Sequence, residues 1–76
     1  MKSENTEMFA QLSLNIAYYR KKNGFTQEKL AELVNTSRTH ISNIEALNVN
    51  RYPSLDLLFT IAKVLDVEVS KLFEIR

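Results

Sequence analysis

The stretch TQEKLAELVNTSRTHISNIEA, residues 26–46, decides the fold. Its polar and apolar residues follow the pattern of two short helices with a tight bend between them. Thr26 can cap the first helix by accepting from a backbone N–H two or three residues on, and Glu28 sits in the first turn, where the helix dipole favours an anion. Leu30, Ala31 and Val34 form a narrow apolar stripe. Asn35 follows where a chain turning sharply needs positive φ, and Asn tolerates that backbone region better than any residue but Gly. Ser37 can cap the second helix, whose buried face is Ile41 and Ile44 with Ala46 or Leu47.

The opposite face of that second helix carries Arg38, Thr39, Ser42 and Asn43, all able to hydrogen-bond. Two helices joined this way make a helix-turn-helix, which presents the N-terminal residues of its second helix to base edges in the major groove of DNA. Arg38 and Thr39 would lie nearest the groove floor. Arginine can donate two bonds to guanine, asparagine can do the same for adenine, and a threonine methyl can meet that of thymine. All four side chains are candidates for such contacts. The alternative is an ordinary solvated helix face.

Working outward, 76 residues make one domain, residues 1–76, with one core. There is no cysteine to form disulfides or a thiolate zinc site, and the single histidine, His40, has no co-ligand at metal spacing, so no cofactor or metal is expected. Apolar residues are 45% of the chain, but no run approaches the ~20 needed to span a membrane. The first seven residues are polar and include acids, unlike a signal peptide. A cytoplasmic protein with no membrane partner is expected, associated with the nucleoid through DNA. Upstream, Phe9, Leu12, Ile16 and Tyr19 predict helix 1, with Lys21 and Lys22 in its last turn, Gly24 ending it and residues 1–6 as a flexible lead. Downstream, Pro53 and Ser54 start helix 4, with Leu55, Leu58, Ile61, Ala62 and Leu65 facing inward. A short helix 5, about residues 69–74, would pack back through Val67, Leu72 and Phe73. The expected class is all-α with five helices.

From about Leu12 to Phe73 the chain resembles the phage repressor and Cro type of helix-turn-helix regulator, the XRE family, whose fold is the five-helix lambda-repressor-like domain. The resemblance rests on Ile16 and Arg20, on Gly24 through Ala31, on Ser37 with Ile41 to Glu45, and on Pro53, Ser54, Leu55, Leu58, Ile61, Ala62, Leu65, Val67, Leu72 and Phe73. It implies that Arg38, Thr39 and Asn43 are the base-reading positions, that Gln27 binds a DNA phosphate and supports the recognition helix, and that Arg20 and Glu45 form a structural ion pair. The loop after helix 3 ordinarily supplies phosphate contacts, which Asn48, Asn50, Arg51 and Tyr52 could make here, and Ser37, His40 and Ser42 join that set. His40 could equally face solvent. The chain departs from the family in having Asn35 where Gly is usual, Ala17 where a base is common, and a longer segment from Glu45 to Ser54 that lacks the usual Gly.

The net charge is only +1, but residues 18–53 carry +3 and the remainder −2, so the positive end is the helix-turn-helix end. A local +3 implies few neutralised phosphates and weak binding by one subunit. A homodimer is therefore expected, on a palindromic operator with half-sites about 34 to 36 Å apart. Leu57, Phe59, Val64, Phe73 and Ile75 are candidate dimer residues, unless they complete the core of one chain. These readings describe a sequence-specific transcriptional regulator, acting as a repressor. The alternative is an antitoxin-like interaction module that binds a co-encoded protein through helices 4 and 5. An enzyme is not expected, since the chain has one His, no Cys and no Gly-rich phosphate loop.

Overall fold

The structure is a computed structural model and describes residues 5–47, 49 and 51–75. Among these the chain forms four α-helices, α1 (Thr6–Lys22), α2 (Gln27–Leu33), α3 (Arg38–Glu45) and α4 (Leu55–Leu65), and one 3-10 helix (Val69–Phe73).

The starts of α2, α3 and α4 are each set by a hydroxyl. Thr26 Oγ1 accepts from the Lys29 N–H at 2.9 Å, Ser37 Oγ from His40 N–H at 3.0 Å and Ser54 Oγ from Leu57 N–H at 3.1 Å. These bonds satisfy donors that a helix start would otherwise leave bare. Ser54→Ala is expected to cost about 1 kcal/mol, read as a lower urea midpoint with an unchanged denaturant slope.

Three ends share one device. After α1 the Phe25 N–H reaches back to the Arg20 carbonyl, after α2 Thr36 reaches Ala31, and after α4 Val67 reaches Ala62, at 3.1, 2.9 and 3.0 Å. Each bond requires the residue before it to be left-handed, and Gly24, Asn35 and Asp66 have φ of 76°, 60° and 59°. Asn and Asp tolerate this region through their short polar side chains.

The core is Leu12 and Ile16 of α1, Leu30, Ala31 and Val34 from α2 and its end, Ile41 and Ile44 of α3, Leu58, Ile61, Ala62 and Leu65 of α4, and Leu72. Leu57, Val64, Val67 and Val69 pack partly buried against it.

The structure corrects several expectations. Leu55 is not inward: it is 70% exposed at the first position of α4, before the helix has turned onto the core. The fifth helix is 3-10, five residues being too few to favour an α-helix. Its carbonyls are also occupied. The amide of the fully buried Asn15 donates from Nδ2 to the Leu72 carbonyl at 2.9 Å and the Glu74 carbonyl at 2.8 Å. Phe73 is 40% exposed and does not enter the core, whereas Leu72 beside it is fully buried. α1 begins at Thr6, within the lead expected over residues 1–6, and residues 1–4 lie outside the described residues.

Candidate nucleic-acid interface

α3 is held from two sides. α2 crosses it through the turn at Asn35, while Ile41 and Ile44 are buried against the core. α1 fixes the far end of α3 in two places: Ser13 Oγ donates to the Ile44 carbonyl at 2.7 Å, and Arg20 grips Glu45. The first bond satisfies one of the carbonyls that a helix end leaves without a partner. The second is a two-pronged pair, Arg20 Nε to Glu45 Oε2 at 2.7 Å and Nη2 to Oε1 at 3.0 Å, with side chains only 10% and 6% exposed. Arg20 Nη1 also donates to the Phe25 carbonyl at 2.8 Å, and Gln27 Nε2 donates to Glu45 Oε1 at 3.0 Å. One carboxylate thus joins the ends of α1 and α3 and the start of α2.

With its apolar side clamped, α3 turns its other side outward. Arg38 and Thr39 are exposed in its first turn, and Ser42 and Asn43, one turn on, are half-buried. Helical geometry puts these four side chains on one arc, at steps of one, three and four residues. Ser37 is exposed with its hydroxyl committed to the cap, and His40 is half-buried at the edge of the arc. Arg51 is exposed in the segment that follows, while Asn48 and Asn50 lie outside the described residues.

Electrostatics narrow the surface further. Arg20 is committed to Glu45, and Lys29 pairs with Glu32 at 3.1 Å across an exposed turn of α2. The exposed cations remaining between residues 18 and 53 are Lys21, Lys22, Arg38 and Arg51. The segment before α4 is anchored by Tyr52, which stacks on Phe9 of α1 with ring centroids 3.8 Å apart and planes 18° from parallel. This stack, Ser13 and Asn15 were not expected from the sequence. The signal for the last two was a pair of polar residues inside the apolar arc of helix 1, between Leu12 and Ile16.

Of the five candidate dimer residues, the structure places Leu57 and Val64 against the core, and leaves Phe59 and Ile75 exposed along with Phe73.

The comparisons agree with this geometry. A family model described as Helix-turn-helix matches residues 16–72. The competence pilus inhibition repressor of Acinetobacter baylyi is 38% identical over 58 residues, covering 76% of this chain and 51% of that protein. The control protein C.SmaI of Serratia marcescens is 38% identical over 61 residues, covering 80% of this chain and 70% of that one. The chain therefore spans only about half the length of the first of these relatives. Among solved structures, SinR, the master regulator for biofilm formation, determined in complex with DNA, superposes with a TM-score of 0.74 at 33% identity, covering 83% of this chain and 98% of that one. A fold built around a clamped helix-turn-helix and a family match over three quarters of the sequence lead to one assignment: the chain belongs to the XRE-type helix-turn-helix family, HTH_3.

Proposed function

We propose that this protein is a sequence-specific, double-stranded DNA-binding transcriptional regulator, that it acts as a repressor, and that it binds a palindromic operator as a homodimer with α3 in the major groove. The observation that carries this reading is the outward polar arc of Arg38, Thr39, Ser42 and Asn43 on a helix whose opposite side is fixed by α1 and α2. A rigidly held helix can present donors and acceptors to base edges without first being ordered.

In this reading Arg38, Thr39 and Asn43 contact bases, and Ser37, His40, Ser42, Asn48, Asn50 and Arg51 lie along the phosphates. Gln27 uses one Nε2 hydrogen on Glu45 and offers the other to a phosphate. We assign the protein no catalytic role and place it in the cytoplasm on DNA. Among the described residues no helix is long and apolar enough to cross a membrane.

A second reading adds a protein partner. It is favoured by the exposed Phe59, Phe73 and Ile75, and by a SinR protein/SinI protein complex that superposes at 33% identity with a TM-score of 0.74. The two readings are compatible.

Selection of bound duplexes from a randomised pool, repeated at several salt concentrations, tests the main reading. The expected result is an enriched inverted repeat with half-sites about one helical turn apart, and affinity that falls with a shallow salt slope because few phosphates are neutralised. Recovery of no preferred sequence at low ionic strength would reject the regulator reading.

A further inference from the structure

We propose that Phe9 of α1 is a positioning residue for DNA binding: by stacking on Tyr52 it fixes the segment between α3 and α4, and so holds Arg51 in place to meet a phosphate. This rests on the DNA-binding reading above. It gives Tyr52 a role through its ring, where the sequence suggested a phosphate contact.

α3 ends at Glu45 and α4 begins at Leu55, and the segment between them is tied to one face of α1 at two points. At its start, Ser13 Oγ donates to the Ile44 carbonyl at 2.7 Å. Towards its end, Tyr52 lies almost face to face with Phe9, with ring centroids 3.8 Å apart and planes 18° from parallel. Phe9 and Ser13 are four residues apart, so they stand one above the other on the same side of α1. Between the two ties Ala46, Leu47 and Val49 line, with Ala10, a gap of only about 30 Å³. Neither ring of the stack belongs to the core, and Tyr52 is 40% exposed. The stack therefore joins α1 to the segment without adding to the packing that holds the helices together.

What the tie positions is the cation beside it. Arg51 precedes the stacked ring, and its backbone N–H donates to the Val49 carbonyl at 2.9 Å. Pro53 follows, with a fixed φ of its own and a bias of Tyr52 towards extended backbone. The Arg51 side chain is exposed, and none of the ion pairs among the described residues uses it. A segment free to move would have to be ordered when DNA binds, and that cost would come off the affinity. A stacked pair of rings keeps the binding arrangement populated in the free protein, so the phosphate contact is made without that loss. The effect matters here because Arg51 is one of only four exposed cations between residues 18 and 53 that are outside an ion pair.

The test is a double-mutant cycle on the full chain, read as affinity for the selected operator and for a random duplex. Phe9→Ala and Tyr52→Ala are each expected to weaken both duplexes by the same factor, about two- to tenfold per half-site. In an Arg51→Ala background neither is expected to lose more than about 1.5-fold further, since nothing is left to position. Tyr52→Phe keeps the ring and is expected to stay within about 1.5-fold of wild type. If Phe9→Ala fails to fold, Tyr52→Ala carries the cycle, because that ring lies outside the core. Equal losses with and without Arg51 would mean that the stack does not act through Arg51, and overturn the proposal. So would a loss in Tyr52→Phe as large as in Tyr52→Ala, which would make the hydroxyl the contact, or an Arg51→Ala variant that binds like wild type. In those three cases the reading of α3 stands, because Arg38→Ala reports on it separately. If the wild-type chain retains no duplex at low ionic strength, both fall.

Discussion

Arg20→Ala is expected to destabilise the fold by about 3 to 5 kcal/mol, because it strands a carboxylate that is nearly sealed from water. A domain of 76 residues has a total stability of about 4 to 11 kcal/mol, so the variant would sit at or beyond the edge of unfolding at room temperature. The size of the effect comes from where Glu45 is. It is the last residue of α3, at the negative end of the helix dipole, where an anion is disfavoured before any burial is counted. Arg20 offsets both penalties with two short bonds, and Gln27 supplies a third donor. Removing Arg20 takes two of the bonds to Glu45, leaves the one from the amide of Gln27, and also takes the donor from the Phe25 carbonyl. The loss is a penalty for breaking the pair, and says little about its net worth. Replacing both partners with apolar residues of similar length, as in Arg20→Met with Glu45→Met, is therefore expected to recover at least half of the lost stability. Urea unfolding of the two singles and the double decides this. Single variants within about 1 kcal/mol of wild type would mean that water reaches the carboxylate and that the pair is ordinary surface charge.

The turns were legible because their chemistry is local. Thr26, Ser37 and Ser54 can be read as caps without knowing what lies across the core, and Gly24 and Asn35 announce left-handed turns by residue type alone. Asp66 plays the same part and was missed, since an Asp beside an apolar run reads as an exposed helix position. The chain's last segment was harder. Val69, Leu72 and Phe73 fit one helical face on paper, with Val67 just before it, but five residues leave packing to choose the helix type, and Asn15 from the other end of the chain draws the carbonyls of Leu72 and Glu74 to itself. Such a contact joins positions 57 and 59 residues apart, and no periodicity carries it. For the interface, residue type and spacing placed Arg38, Thr39, Ser42 and Asn43 on one arc. They did not show how α3 is held at its far end, because the donor of Ser13 looks like an interruption in an apolar stripe. By residue type the apolar surplus points to helices 4 and 5. Leu57 and Val64 pack partly buried against the core, and a further exposed apolar face, with Leu14 and Tyr18, lies on α1.

Arg38→Ala is expected to weaken binding to the selected operator by about 1 to 3 kcal/mol per half-site, roughly 5- to 150-fold, and to relax the preference at one base pair in each half. The argument runs from position to chemistry. Arg38 opens α3 directly after the capped Ser37, so its side chain leaves the helix where the groove floor would be, and it is exposed with a guanidinium long enough to reach a guanine edge. Loss of a base contact and loss of a phosphate contact have different signatures. Arg51 lies outside α3 in the segment that Tyr52 anchors to Phe9, and Arg51→Ala should weaken operator and random duplex alike while lowering the salt slope by about one unit. For Arg38→Ala the random duplex should be much less affected, so the ratio of the two affinities falls. Titration of both variants against the selected operator, its single-base substitutions and a random duplex at two salt concentrations separates the cases. If Arg38→Ala loses the same factor on every duplex, Arg38 is a phosphate contact and base reading passes to Thr39 and Asn43. If it loses nothing on any of them, the outward arc of α3 is not what touches DNA, whatever holds it in place.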